Sequence, residues 1–475
     1  MADAPSSGSV ACLTVLPDEL KQHIFSYLSA VDIAAVSQTC RVLYQQAQEE
    51  KLWQELINDH LPKRLEKPGM FESFQRLYSA HHPYWFLPKN KIWFSDFEYT
   101  GQLIIARYDH RRGVIEAFRL VAGIKEETFS QWSANPEVII QSFNPQVRLW
   151  MDDPVIEMRN AACLPPRDRQ YSRDYFKMSK TVQGSGPCSS FVLCRGNVGK
   201  RPPIRNDFLW PPVTIPSEKS LRRSHEMLKN EKSGMFLNSI SESENPTAIS
   251  DTSFYIRKWL HFGLSQPMIP SDPGDQLSTY ATLSPELYAP TKEKPFQGIW
   301  VGDYNFHGCE FLLFLQRDAG SIAPLGHADR SQFVFSNGVP GIHTAGLHNE
   351  HEFERASLPN SAPSNDAEEH NGMVFRGRLE GIKLTGDPNI PRGEISFVAE
   401  DIGPSGTIGI AEDDEFRGAR VVRSKGHIAF QQYTDDRWVE TELFLISPDC
   451  VAQYWKPMRH VSFFRRVNID QYTNI

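Results

Sequence analysis

The chain has 475 residues, 40% hydrophobic and 23% charged, with a net charge of −8. At about 150 residues per domain this predicts two or three domains of ordinary globular composition. The acidic balance speaks against a general nucleic-acid binder, which carries a basic face, and no uncharged apolar run reaches the ~18 residues of a membrane span.

The first ten residues are small and polar and are expected to be disordered. No basic segment followed by an apolar one opens the chain, so no secretory leader is expected. The seven scattered Cys fit a reducing compartment, cytoplasmic and/or nuclear. Residues 11–60 read as three short helices. Pro17 suits a first helical turn, with Asp18 and Glu19 on the positive end of the dipole. Leu20, Ile24 and Leu28, four apart, form one apolar stripe. Ser29 and Asp32 start a second helix by a capping-box variant, and Ile33, Val36 and Cys40 then face one way. Leu52, Trp53 and Leu56 close the unit. So small a bundle buries little surface alone, so its stripes predict a partner groove. Over 61–83, Phe71, Phe74, Leu77 and Tyr78 recur at helical spacing and predict a connecting helix.

Strand signals dominate residues 84–470. "GQLIIARYDHRRGVIEAFRLVA" predicts a hairpin turning at Gly113, and "VIIQSFNPQVRLWM" a second around Asn144-Pro145. Two polar inserts, near 160–250 and 319–371, interrupt the pattern. Between them "SFYIRKWLHFG" reads as a short helix with Phe254, Ile256, Trp259 and Phe262 apolar. Many strands without alternating helices predict an antiparallel barrel or sandwich.

In "QGIWVGDYNFHGCEFLLFLQ", Ile299–Asp303 and Cys309–Gln316 read as strands and residues 305–308 as their turn. Gly302 and Gly308 fit close backbone approach or positive φ. Gly298-x-Trp300 resembles the first strand of lipocalin-like barrels. It offers a small-molecule-binding barrel as the alternative reading, with Arg459, Arg465 or Arg466 as partner of the Trp face. In "TGDPNIPRG", Pro388 and Pro391 fix two φ angles and stiffen the loop. Such a loop closes a barrel mouth or rims a peptide pocket. His307 and Glu310 are either binders of a peptide end or satisfied packing groups.

The N-terminal pattern resembles an F-box at Leu16-Pro17, Glu19-Leu20, Ile24, Tyr27-Leu28, Asp32-Ile33, Val36-Ser37, Cys40, Leu52-Trp53 and Leu56. The resemblance implies docking on the Skp adaptor, and through it on cullin and RING subunits, by Leu16, Pro17, Leu20, Ile24, Leu28, Ile33 and Val36. Some of these must instead hold the helices together. Gly302-x-Tyr304-x-x-His307-Gly308-x-Glu310, "IKLTGDPNIPRGE" and Trp85-Phe86-Leu87-Pro88 resemble motifs of the F-box only protein 31 family. That resemblance implies a substrate receptor of SCF ubiquitin ligases whose C-terminal β-barrel binds cyclin D and recognises C-terminal ends, including amide-bearing ones. Tyr304, His307, Glu310, Asp387 and Asn389 become the candidate substrate-binding residues. Some family members carry a zinc cluster in the middle region; here Cys163, Cys188 and Cys194 lack C-x-x-C spacing, so no metal and no cofactor are expected. His343, His348 and His351, with Glu350 and Glu354, lie in the second insert and read as a solvated loop. The sequence contains no G-x-S-x-G, no H-E-x-x-H and no complete P-loop. The expectation is thus an α+β multidomain chain: an F-box followed by a large antiparallel β-barrel with irregular inserts, non-catalytic, serving ubiquitin-dependent degradation.

Overall fold

In the computed structural model the described residues are 13–95, 97, 99–124, 128–159, 186–195, 249–261, 277–304, 307–318, 368–370 and 373–475. The expectations for residues 1–10, for Cys163 and for the histidines at 343–351 lie outside them.

The N-terminal module contains four short helices where the sequence suggested three: α1 (Asp18–Phe25), α2 (Ala30–Ser37), α3 (Arg41–Ala47) and α4 (Glu50–Asn58). Extended backbone at Cys40 and at Glu49 separates the last three. Ser29 caps α2 as its spacing suggested, its hydroxyl accepting the Asp32 N–H. Phe25, Ile33, Leu43, Trp53 and Ile57 fill the centre of the module. The connecting segment forms α5 (Phe74–His81) and is followed by α6 (Phe86–Asn90).

Among the described residues, twenty-one strands follow. An open sheet is built from β1 (Ile92–Ser95), β2 (Leu103–Asp109), β3 (Val114–Ile124), β6 (Pro145–Leu149), β7 (Ile156–Arg159), β8 (Gly186–Arg195), β9 (Ile249–His261) and β10 (Leu277–Thr282). They run in the order β6-β3-β2-β1-β10-β9-β8, with β7 also on β3. Both faces of β1 and β2 are covered, which is why "IWF" and "LIIA" read as continuous apolar runs. Alternation divides them. Trp93, Ile104, Ala106 and Tyr108 join the helical core, while Ile92, Phe94, Leu103 and Ile105 pack on the barrel. His81 of α5 sits where the helices meet the sheet, with Nε2 3.0 Å from the Gly113 carbonyl and Nδ1 3.3 Å from that of Leu77.

A short helix α7 (Pro285–Tyr288) leads into the barrel. Its strands are β11 (Gly298–Asp303), β12 (Cys309–Arg317), β15 (Arg378–Lys383), β16 (Ile395–Ala399), β18 (Arg420–Phe430), β19 (Thr434–Ser447), β20 (Cys450–Trp455) and β21 (His460–Arg466). Each pairs antiparallel with the next, and β21 closes the ring on β11 through Trp300↔Arg466 and Gly302↔Phe464. The barrel is therefore closed, antiparallel and eight-stranded. β17 (Thr407–Ile410) adds to β18, and β13 (Glu368–His370) pairs with β14 (Met373–Phe375) as a separate ribbon.

Two local expectations are corrected. "VIIQSFNPQVRLWM" is not a hairpin. Its first half belongs to β5 (Asn135–Gln141), which pairs with β4 (Phe129–Trp132) and runs parallel to β21 on the barrel. Its second half is β6, which pairs with β3 in the open sheet. Phe143, between them, is buried in the core shared by sheet and barrel, so the turn signal marks a crossing between layers. "SFYIRKWLHFG" is not a helix through His261: it forms β9, paired on both sides by β8 and β10. Phe254 and Ile256, two apart, are both buried, and two long partner strands override the helical spacing. Phe262 lies outside the described residues.

Candidate functional site

Inward-facing residues of the barrel divide into an apolar region and a polar layer. Trp300 stacks on Phe314 at 4.4 Å between ring centroids, and Phe397 and Phe464 pack on the same ring at 5.0 and 5.4 Å. Glycines make the room: a Cβ at Gly302 would lie 2.6 Å from the Phe464 ring, and one at Gly381 2.2 Å from that of Phe397. Of the three arginines offered as Trp300 partners, Arg466 takes the role, with Cζ 4.8 Å from the ring centroid.

The polar layer begins where the same inward positions change chemistry. Leu379, Gly381 and Lys383 alternate along β15, so a strand that packs the core with Leu379 presents an ammonium two positions beyond Gly381. Lys383 Nζ lies 2.7 Å from Glu310 Oε2 and 2.6 Å from Asp387 Oδ2. It also stands 4.2 Å from the Tyr304 ring centroid. Tyr304 shares a 2.6 Å hydrogen bond between its hydroxyl and Ser396 Oγ. All three charged groups are buried: Lys383 is 1% exposed, Glu310 3% and Asp387 5%. Ser424 and Thr441 bond to each other at 2.6 Å, and Gln453 donates to Thr441 at 3.1 Å, continuing the layer.

One ammonium serves two carboxyl groups, so the two differ. Burial pushes Glu310 up to about 8 against the pull of Lys383, and the Asp387 charge adds to the rise. Burial also acts to raise Asp387, but the Lys383 charge and the hydrogen bonds it receives, that of the Ile390 N–H among them, hold it down to about 2. At neutral pH Asp387 is therefore the anion beside Lys383, and Glu310 is largely neutral. Burial first, then the Glu310 charge, raises the Tyr304 phenol well above its usual value. Glu310 lies within hydrogen-bond reach of both Lys383 and Asp387, whereas the buried Asn389 Oδ1 has no hydrogen bond.

The loop 384–393, which the sequence offered either as a closure or as a pocket rim, covers this end of the barrel through Asp387. Asp387 Oδ1 accepts the Asn389 and Ile390 N–H groups at 2.6 and 2.9 Å. Gly386 N–H donates to Thr100 O and Arg392 N–H to Tyr99 O, anchoring the loop on the open sheet. From the other side the β18–β19 hairpin covers it: Tyr433 donates its N–H to Pro388 O and its hydroxyl to Glu394 Oε2, each at 3.1 Å.

Of the candidate substrate-binding residues, Tyr304, Glu310, Asp387 and Asn389 thus meet at one closed mouth. His307 does not join them. It is exposed on the β11–β12 turn, its N–H bonded to Tyr304 O. Gly308 in that turn has φ +82°. Sequence reasoning passed over Lys383 as a site residue. The signal was a charged residue at an inward strand position, which needs a partner once buried.

The second functional surface is the helical module. Of the candidate adaptor residues, Pro17 is exposed, Leu20 is 49% and Ile24 38% exposed, and Leu16, Leu28 and Val36 are half-buried. Ile33 is fully enclosed and packs the helices. Tyr27, 77% exposed, extends the apolar face.

Comparison with known proteins agrees with this division. Residues 13–59 match the F-box-like family and residues 280–471 the Cyclin D1 binding domain. The chain is also similar to Protein EXECUTER 1, chloroplastic, of Arabidopsis thaliana, at 29% identity over 111 residues, 21% of this chain and 16% of that protein. The chain thus spans well under two thirds of that relative. F-box domains typically bind the Skp adaptor within SCF complexes, and F-box proteins are generally receptor subunits of ubiquitin ligases. With an F-box-like domain at its N-terminus and a Cyclin D1 binding domain at its C-terminus, the chain matches an F-box protein with a cyclin D-binding-type C-terminal region.

Proposed function

We propose that this chain is the substrate-recognition subunit of an SCF-type ubiquitin ligase. Its F-box binds the Skp adaptor, and through it the cullin and RING subunits. Its barrel binds the C-terminal end of a protein substrate for ubiquitin-dependent degradation, in the cytoplasm and/or nucleus. The observation that carries the reading is the exposed apolar face of Leu20, Ile24 and Tyr27 on a module whose core continues into the sheet that packs on the barrel. An open face of this kind calls for a partner, and the continuous core holds the barrel mouth at a fixed offset from it. Ubiquitin transfer then needs no catalytic group in this chain: holding the substrate near the conjugating enzyme raises its effective concentration.

The charges at the mouth favour one kind of chain end. Lys383 is balanced by Asp387, and the acceptors at the mouth are the Asp387 carboxylate and the unused Asn389 Oδ1. A primary amide is neutral and brings two N–H donors to such acceptors. A free carboxylate would bring a further negative charge to a lysine whose charge Asp387 already balances. The reading is therefore an amide-bearing C-terminal end, admitted when the 384–393 loop and the Tyr433 hairpin part.

The adaptor-bound protein, tested on peptides with amidated, free and internal ends, should bind amidated ends about tenfold or more tighter than free ones, a difference of about 1.4 kcal/mol or more. Indifference to the terminus would remove the C-terminal reading and leave the F-box role standing. The F-box role has its own test in co-expression with a Skp adaptor, where Leu20→Asp with Ile24→Asp should abolish the complex.

A further inference from the structure

A second basin lies on the β3–β6 ribbon, apart from the barrel mouth. The two strands pair with Val121 opposite Arg148 and Gly123 opposite Gln146. Alternation turns Leu120, Val147 and Leu149 toward the barrel, so Arg119, Gly123, Gln146, Arg148 and Trp150 line the other face around a space of about 660 Å³. Its floor is open at Gly123, where an added Cβ would meet nothing within 4 Å.

Its chemistry is one-sided. The guanidinium carbons of Arg119 and Arg148 each lie 5.8 Å from the Trp150 ring centroid. Among the described residues neither arginine has an ion-pair partner and no carboxylate lines the basin, although the chain carries a net charge of −8. Two guanidinium groups near one ring make a local positive potential that a bound anion would neutralise. Guanidinium forks match phosphate oxygens in paired hydrogen bonds, and two monocations match a phosphate dianion better than a single carboxylate. The basin borders β6, the terminal strand of its sheet. A terminal strand is where an extended peptide can lie, with one of its carbonyls, that of Val147, already taken by the Tyr472 hydroxyl.

We propose that Arg119 and Arg148, set at the Trp150 ring, form a binding site for a phosphomonoester carried on a peptide. The site is independent of chain ends, so a test without chain ends isolates it. The probe is a fluorescein-labelled, head-to-tail cyclic hexapeptide with one phosphoserine, titrated onto the full chain in its adaptor complex and read by anisotropy. Saturable binding is expected, weakened about tenfold or more by Arg119→Ala with Arg148→Ala, on the order expected for losing charge-assisted bonds. Arg119→Lys with Arg148→Lys, which keeps the charge but loses the fork, should fall in between. If the double alanine variant does not fold, Arg148→Gln alone, at an exposed position, should still weaken binding. Equal binding of the unphosphorylated ring, or unchanged binding in the alanine variant, would overturn the site. Displacement by inorganic phosphate at the same concentration as the phosphopeptide would overturn the peptide assignment.

Discussion

Lys383 and Glu310 meet inside the barrel at 2.7 Å, yet the pair is not a simple salt bridge, because Asp387 holds the same ammonium at 2.6 Å. The cation belongs mainly to Asp387, and Glu310 keeps its proton up to about pH 8. A carboxyl whose folded value lies above its unfolded value binds more protons in the native state. Its stabilising effect is complete at pH below about 4.5 and is lost as pH rises through 8. Stability should therefore fall between pH 5 and 8 more steeply in the natural protein than in Glu310→Gln, by up to about 1.4 kcal/mol per pH unit. Urea unfolding at a series of pH values measures the difference; parallel curves for the two proteins would show that Glu310 does not hold this proton.

Removing the cation is a different matter. Lys383→Met would leave Asp387 buried and ionised without its partner, and losing one member of a buried ion pair costs about 3–5 kcal/mol. Pairing Lys383→Met with Asp387→Asn should recover most of that loss, since the uncompensated charge is then gone. A double-mutant cycle by chemical denaturation gives the coupling directly, and strict additivity would contradict it.

Arg466 closes the opposite end of the barrel. It lies against Trp300 and donates to the carbonyls of Pro295, Gln297 and Pro448, and its Nε is 2.9 Å from Asp449 Oδ1. Those bonds use the planar guanidinium fork, which lysine lacks. Arg466→Lys keeps the charge but should still cost about 1–3 kcal/mol through carbonyls left unpaired. A melting temperature unchanged by the substitution would show that charge alone matters there.

These residues also mark what the sequence made legible. The F-box pattern, Ser29 as a helix cap and the β11–β12 hairpin follow from local spacing, and the structure contains them. Arg466 was one of three candidate partners for Trp300; only barrel closure, which pairs the two residues across β11 and β21, selects it. The β9 strand and the split of "VIIQSFNPQVRLWM" between two layers depend on partners distant in sequence, and local pattern does not encode partners. The mouth residues stood in two motifs some 75 positions apart, and Lys383, which joins them, stood inside the second motif without being marked as a site residue, because only the strand's partners show that it faces inward. Ile33 and Leu20 looked alike as apolar stripe positions; which faces outward depends on how the helices pack.

The closing loop offers a test of whether the mouth must keep its shape. A Cβ at Gly386 would lie 2.4 Å from the Arg392 backbone nitrogen and 2.6 Å from the Pro391 carbonyl carbon. Neither is the end of a flexible side chain, so Gly386→Ala has to move backbone, at a cost of about 1–3 kcal/mol. The Gly386 N–H, bonded to Thr100 O, is the reporter: its exchange with solvent should quicken in this variant, while amides of the β12–β15 pairing stay protected. Uniform acceleration across the barrel would mean that the loop is part of the global fold instead of a locally opening cover.

The adaptor face can be separated from the helical core by two substitutions on neighbouring helices. Ile33 is wholly enclosed, and its core is continuous with that of the open sheet. Ile33→Ala should therefore cost about 2–5 kcal/mol, and any loss of adaptor binding would follow the loss of folding. Leu20 is 49% exposed, and an exposed substitution away from caps and buried networks usually changes stability by no more than about 0.5 kcal/mol. Leu20→Asp should accordingly leave the melting temperature in place and still weaken the adaptor complex, because it puts a charge into an apolar contact that must lose its water on binding. Measured together, melting and adaptor affinity distinguish the two effects. If Leu20→Asp leaves both unchanged, the face around α1 is not where the adaptor docks, and the exposed Val31 on α2 and Val42 on α3 become the positions to change.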